Sequence, residues 1–555
     1  MRIRIVGAGA MGRGIAQWAA SAGHTVELCD VRTEAVTAAV DFVRSMLERA
    51  VDKGRMSAGD CAAALERLVP LDDPWAQGPD VDLVIEAVRE DLETKAEVFG
   101  KLEQALPGSA VFATNTSSLS VTRIAASLKD PTRLAGLHFF NPVPLMKIVE
   151  IVPGAATRSE IPQALTELVE SCGHRAVTVA DTPGFLVNHA GRGLVTEALA
   201  LLEESVADPA GIDRIARDVL GLRMGPFELM DLTGLDVTAA VIDSIWQGFR
   251  YEDRLRPSYL TPNRVAAGLH GRKTGRGWFA YGSEAPAPAA EAPVTGDGDR
   301  PVFVVDTGTG AGSSSGTGTG AGSSSGTGTG AGSPSGTGTG AGSPSGTGTG
   351  PVSDADALRA ALTAAGAAVE SGPAPSAHAL VLVPVWGTTV AAAVASLGLP
   401  AGRTFGVDPL PAAGRRRVLA VTPAAGPTAA RDARAVLARA ADGEEPFAVS
   451  VVRDTAGSVA QRLLASVVSV AASIAERSLA TPSDIDLAVT AGLGYPVGPL
   501  AWGDRIGAAR MLELQRALHA TTGDPRHRPT RWLTERAQLG LPLTDPGTSP
   551  TACTG

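Results

Sequence analysis

The chain has 555 residues, 48 of them basic and 58 acidic, for a formal net charge of −10. That length holds several domains, and the acidic balance argues against a nucleic-acid partner, because such binders cluster positive charge. The longest apolar stretch, Leu463 to Ala475, carries serines and falls short of the roughly 18 residues of a membrane span; the opening MRIRIVGAGAMG lacks a signal-peptide core; and four scattered cysteines have no metal-ligand spacing. The expectation is a soluble cytoplasmic protein with no metal site and no membrane partner.

In chain order, the run RIRIVGA predicts a strand that feeds directly into GAGAMG. Gly7 permits a tight turn, Gly9 lets backbone approach a pyrophosphate, and Gly12 lets helix and strand pack closely. Ala10 and Met11 lie between the last two glycines and open the helix, so they are counted with the same cofactor site. A second strand, TVELCD, ends in Asp30, eighteen residues after Gly12. An acid there accepts hydrogen bonds from ribose hydroxyls and repels a 2′-phosphate, which points to NAD rather than NADP. A helix cap is the alternative reading of Asp30, and Arg32 nearby keeps NADP open.

Four more β-rich runs follow, VDLVIEAV, AVFATN, LAGLHFF and KIVEIVP, alternating with helical patterns. This predicts a Rossmann-type α/β domain over residues 1–180, built on a parallel sheet. Ligands bind at the carboxyl ends of strands in such sheets. Glu86, Glu90, Asn115, Ser117, His138, Asn141 and Glu150 stand there. A carboxylate among β-branched residues is costly unless paired. Pairing Glu150 with His138 would remove that cost and fix the imidazole tautomer of a general base.

Residues 181–282 read as an all-helical domain and 283–306 as a linker containing one strand. From Thr307 to Gly350 the unit TGTGAGSSSG repeats, drifting to TGTGAGSPSG, and reads as a low-complexity tether. Residues 351–453 read as a degenerate Rossmann-like segment without a glycine fingerprint. Residues 454–545 read as a second helical copy. DTPGFLVNHA at Asp181 and DTAGSVAQRLLA at Asp454 align at an offset of 273, which also joins Asp213 to Asp486 and Gly225-Pro226 to Gly498-Pro499. In this copy Gln461 replaces Asn188, and no HFFNP precedes it, so it is expected to supply packing surface and no chemistry.

GAGAMG, IEAVRED, NTSSLSVT, GLHFFNPVPLMKIVEIV, DTPGFLVN and GRKTGRGWF together resemble the L-3-hydroxyacyl-CoA dehydrogenases, over residues 1 to about 282. The resemblance implies NAD as cofactor and an acyl-CoA as substrate. It implies His138 as general base, Glu150 as its orienting partner, and Ser117 and Asn188 as hydrogen-bond partners of the substrate oxygen. It also implies Glu90, Lys95, Asn115 and Lys273 at the cofactor site, Asn141 beside the substrate, and Lys53 near a CoA phosphate. His189 departs from the family, which usually follows this asparagine with arginine. Members with tandem helical domains act on 3-hydroxybutyryl-CoA or 3-hydroxyadipyl-CoA, in fatty-acid or aromatic-acid breakdown. One helical domain of the family generally mediates dimerisation, so the second copy is expected to cover that face within one chain; a homodimer or higher homo-oligomer is the further partner considered. The competing readings are a dehydrogenase of a free hydroxy acid, for which no lysine motif is evident, and a non-catalytic NAD-binding scaffold.

Overall fold

The structure, a computed structural model, describes residues 1–283, 285, 290–307 and 353–548. Beyond Thr307, the segment read as a tether lies outside the described residues.

The first sheet has eight strands: β1 (Arg2–Val6), β2 (Thr25–Cys29), β3 (Leu68–Leu71), β4 (Leu83–Glu86), β5 (Val111–Thr114), β6 (Leu134–Phe139), β7 (Ile148–Pro153) and β8 (Arg175–Thr178). Their order is β3-β2-β1-β4-β5-β6-β7-β8. All six runs read from sequence are strands. The two additions, β3 and β8, are the edges of the sheet, and β3 tolerates Pro70 because an edge leaves one side of its ladder unpaired. The sheet is not wholly parallel, which corrects the expectation: β6 and β7 run antiparallel, with His138 directly opposite Glu150. The chain can turn back there because only a short loop, not a crossover helix, joins the two strands.

The second sheet comprises β9 (Val302–Val304), β10 (Leu380–Pro384), β11 (Thr404–Val407), β12 (Arg416–Val421) and β13 (Ala448–Arg453), in the order β13-β12-β11-β10-β9. The strand read as part of a linker therefore belongs to this sheet, since β9 pairs in parallel with β10. One step is antiparallel, β11 to β12, and the next is parallel, as with β6, β7 and β8. The second unit thus repeats β4 through β8 and lacks β1 to β3, which carry the glycine turn and Asp30. Its missing fingerprint is a missing half-domain.

The helical copies are built on the same internal links. Asp181 accepts from the amides of Val121 and Thr122, and Asp454 from those of Val390 and Ala391, each at the start of a crossover helix. Asp213 receives the amides of Phe227 and Glu228, and Asp486 those of Leu500 and Ala501. The copies meet along the helices Arg192–Glu203 and Val459–Glu476. A Cβ on Gly193 would come 2.8 Å from the Ser466 carbonyl oxygen. Ser466 is the residue equivalent to Gly193 at the offset of 273, so the two copies are related by a pseudo-twofold axis through this contact. Val459–Glu476 is apolar and long enough to span a membrane by composition, but it is buried as the core helix of this interface.

Candidate active site

The glycine turn joins β1 to the helix Ala10–Ser21. Gly7 has φ +108°, and a Cβ on Gly12 would sit 1.7 Å from the Gly7 carbonyl oxygen, so no side chain fits there. Gly9 faces open space. The Asp30 carboxylate accepts from the Ala8 amide at 2.9 Å and the Arg32 amide at 3.0 Å. Arg32, not Asp30, stands at the N-cap position of the following helix, Thr33–Asp52, and no side chain caps it. Asp30, Gly7 and Gly9 line one cleft of about 460 Å³ with Val88 and Arg89. An acid beside backbone that only glycine permits is the donor and acceptor set a dinucleotide requires, so these residues fit NAD. Ala10 lines an adjoining cleft, and Met11 packs half-buried against the core.

Behind this wall lies a buried ionic network. Lys95 is 1% exposed, with Nζ 2.6 Å from Glu86 and 3.4 Å from Glu90. Glu90 also accepts from the Thr116 hydroxyl and from the amides of Ser117 and Ser118. Burial opposes ionisation of Glu90, but the Lys95 charge and these hydrogen bonds outweigh it and hold its pKa at about 2. The Ser117 hydroxyl lies 3.3 Å from Glu90, and the Asn115 side-chain oxygen accepts from the Phe139 amide at 2.8 Å, next to His138. Four of the residues singled out in sequence are thereby joined, Glu86, Glu90, Lys95 and Ser117, while the Asn115 side chain bonds the Phe139 amide instead. Lys273 is not joined to them; it pairs with Asp236 at 2.6 Å inside the helical domain.

His138 and Glu150 form the centre. Glu150 is fully buried, with one oxygen 2.6 Å from His138 Nδ1. Its other oxygen accepts from the amides of Leu186 and Val187 at 2.9 and 2.8 Å. An ionised carboxylate only accepts, so Nδ1 donates, and in the neutral imidazole Nε2 then keeps its lone pair. Phe140 and Phe185 flank the ring at 4.5 and 5.7 Å between centroids. The two amides reach Glu150 because Gly184 and Phe185 both adopt left-handed backbone, with φ of +74° and +47°. That conformation is strained for phenylalanine and turns successive N–H groups toward one anion. Asn188 follows in the helix Val187–Ala190, beside Gly184.

The second copy lacks each of these parts. Its cross-strand pair is Gly406 and Ala420, where β6 and β7 carry His138 and Glu150. Ser458, at the position of Phe185, has an ordinary φ of −109° and caps its helix. Gly457 keeps the left-handed backbone of Gly184, but the strained second residue is gone, and the local carboxylate, Asp408, is bonded by the side chains of Ser458 and Gln461. Gln461 is buried and bonds the Gly387 amide, the Val385 carbonyl and Asp408.

The family model for the 3-hydroxyacyl-CoA dehydrogenase NAD binding domain matches residues 2–182, and the C-terminal domain model matches twice, at 184–281 and 457–545. The chain belongs to the 3-hydroxyacyl-CoA dehydrogenase family. A 3-hydroxyadipyl-CoA dehydrogenase of Escherichia coli K12 is 34% identical over 97% of both chains. A probable 3-hydroxybutyryl-CoA dehydrogenase of Bacillus subtilis is 37% identical over 50% of this chain and 97% of its own. The crystal structure of a 3-hydroxybutyryl-CoA dehydrogenase from Escherichia coli K12 superposes with a TM-score of 0.77, at 33% identity, covering 97% of this chain and 98% of that one. The double match of the helical domain in this dehydrogenase agrees with the pseudo-twofold axis.

A second cleft of about 400 Å³ lies beside Asn141 and is lined by Lys53 together with Arg13, Arg49 and Arg55, with no carboxylate. Sequence reasoning found Lys53 and missed the arginines. The signal was present in Arg49 and Lys53, four residues apart and so on one helical face. Arg13 comes from another helix, stacked 3.7 Å over Phe42, and no local pattern links it to them.

Proposed function

We propose that this dehydrogenase converts L-3-hydroxyacyl-CoA thioesters to 3-oxoacyl-CoA, reversibly, with NAD as cofactor. The observation that carries this reading is the buried His138–Glu150 pair at a strand end of the sheet whose first turn carries the glycines, with Nδ1 committed to Glu150. Gly7, Gly9, Gly12 and Asp30 would hold NAD, which accepts the C3 hydride when bound. His138 Nε2 takes the proton of the 3-hydroxyl, and the resulting imidazolium is stabilised by Glu150 through Nδ1. The amides of Leu186 and Val187 keep that carboxylate fixed, so the ring does not rotate as charge develops. Ser117 and Asn188 orient the hydroxyl oxygen. The cations Arg13, Arg49, Lys53 and Arg55 suit the phosphates of the CoA moiety.

The reading includes a cytoplasmic place in fatty-acid or aromatic-acid breakdown, supported by the thioester class of substrate. Following NADH formation from 3-hydroxyacyl-CoAs of graded length, with 3-hydroxyadipyl-CoA among them, tests it. Turnover of free hydroxy acids in preference to every thioester would overturn it.

A further inference from the structure

The corner between the helices Val187–Ala190 and Arg192–Glu203 holds a cation without an anion. Arg192 follows Asn188 by about one helical turn, so both side chains share a face. Its Nε donates to the Asn188 carbonyl at 2.8 Å. Its Nη1 is buried and has no hydrogen-bond partner among the described residues. Three buried guanidinium groups of this chain are matched by carboxylates, Arg4 by Glu27, Arg416 by Asp218 and Glu291, Arg462 by Glu197 and Glu204, while Arg254 and Arg536 give their terminal nitrogens to hydroxyl or carbonyl oxygens; Arg192 Nη1 has neither. The ionisable neighbour of Arg192 is instead the Tyr495 phenol, from the second helical copy, which burial keeps neutral. Burial lowers the Arg192 pKa to about 10, which reflects the cost of leaving this cation unpaired.

The second copy reaches this corner by direct packing. Leu493 lies 3.2 Å from where a Cβ on Gly191 would stand, and a Cβ on Gly492 would meet Val187 at 3.0 Å. Tyr495 follows and is 6% exposed. The guanidinium and the segment that carries the Tyr495 hydroxyl thus meet at one corner, both groups are able to donate, and Arg192 Nη1 has no acceptor among the described residues. Such an arrangement suits a carboxylate.

The distance from the reacting carbon selects its source. Asn188 is the residue assigned to the C3 oxygen, and four residues of helix advance roughly 6 Å. Three carbon–carbon bonds of about 1.5 Å beyond C3 extend a zigzag chain by roughly 4 Å. One hydrogen bond of about 2.8 Å closes the remainder. A four-carbon acyl chain ends one bond beyond C3 and stops short.

We infer that Arg192, assisted by the Tyr495 hydroxyl, receives the terminal carboxylate of a dicarboxylic 3-hydroxyacyl-CoA with the length of the adipyl chain. The inference rests on the dehydrogenase reading of the site and makes the second half of the chain a contributor to substrate selection. The test compares kcat/KM for 3-hydroxyadipyl-CoA and 3-hydroxyhexanoyl-CoA, equal in length and differing in the carboxylate, in the full-length protein. The wild type should favour the adipyl ester by at least about 10-fold, and Arg192→Leu should lower that ratio by roughly 10- to 100-fold, the worth of a charge-assisted hydrogen bond. Tyr495→Phe, nearly isosteric, should lower it several-fold. A wild type that prefers the hexanoyl ester overturns the inference, as does a ratio unmoved in Tyr495→Phe and in a folded Arg192→Leu. If Arg192→Leu does not fold, the wild-type ratio and Tyr495→Phe decide. A wild type active on neither ester overturns the dehydrogenase reading, and the inference with it; activity on the hexanoyl ester alone overturns only the inference.

Discussion

Replacing Glu150 by glutamine changes one oxygen to an amide and almost nothing in volume, yet the geometry gives it a large effect. Glu150 takes three donors: His138 Nδ1 at 2.6 Å and the amides of Leu186 and Val187 at 2.9 and 2.8 Å. A glutamine retains one accepting oxygen. The two backbone N–H groups are fixed by the turn at Gly184 and Phe185, so that oxygen faces them and the NH2 faces the histidine. Nδ1 must then accept, which moves the ring proton to Nε2 and removes the lone pair that takes the substrate proton. The loss is that of a general base, about 10²- to 10⁴-fold in kcat, or about 2.7–5.5 kcal/mol of transition-state stabilisation. Stability should change little, because every buried group keeps a partner. The assay is steady-state NADH formation on a 3-hydroxyacyl-CoA, with NAD affinity measured by calorimetry as a control. A kcat within a few-fold of wild type in Glu150→Gln, with NAD affinity intact, would refute the assignment of His138 as base.

Three further outcomes are expected. Asp30→Ser should narrow the preference for NAD over NADP by relieving repulsion of the 2′-phosphate, and a wild type that uses both equally would show that Asp30 does not hold the ribose. Glu197→Gln should destabilise the contact between the helical copies by about 3–5 kcal/mol, read as a lower urea midpoint, because it leaves the Arg462 cation buried with one partner fewer. Burial opposes ionisation of Glu197, but Arg462, His527 and Arg526 hold its pKa at about 2, against 4.5 ordinarily; its stabilisation is therefore complete above pH 4.5 and is lost as pH falls toward 2, a loss that Glu197→Gln should abolish in acid-unfolding curves. Gln461→Ala should cost roughly 1–3 kcal/mol, because its three buried partners lose their hydrogen bonds, while turnover per folded molecule stays unchanged.

The parts of the site legible in sequence are those fixed by local chemistry. Gly7, Gly9 and Gly12 are set by steric limits within one turn, and Asp30 by the end of the next strand. The Glu150–His138 pairing followed from the cost of an isolated carboxylate in a buried strand. Its cause was hidden: the antiparallel step from β6 to β7 places these residues face to face, and nothing in either run states strand direction. The edge strands β3 and β8 were invisible because edges need no continuous apolar run, and β3 contains a proline. The second sheet was recognised only as a worn segment, since the loss of β1 to β3 is a matter of topology. Arg192 gave no signal in sequence, because what distinguishes it is the absence, among the described residues, of an acceptor for its Nη1 in three dimensions.

Duplication within one chain lets the two faces of an interface diverge, and the residues at the pseudo-twofold axis have done so. In an exact twofold pair each position meets its equivalents twice. Here Arg462 occupies the place of His189, Val470 that of Glu197 and Arg477 that of Glu204. On one side of the axis Arg462 pairs with Glu197 and Glu204. On the other, His189 stacks on Phe249 at 4.4 Å, and burial together with the Arg477 and Arg192 charges lowers its pKa to about 3, so it is neutral. Two second copies brought together by the same axis would set the buried Arg462 against Val470 and a second cation, Arg477, with no carboxylate at either position. Two first copies would leave Glu197 and Glu204 facing only a histidine. The heterologous pairing alone gives Arg462 its two carboxylates, so the substitutions that weaken each copy as a self-partner select the other as its mate. The same pairing brings Tyr495 to Arg192, which a pair of identical first copies could not do, since position 222 in that copy is leucine. The divergence of the second half is thus tied to selectivity at the first.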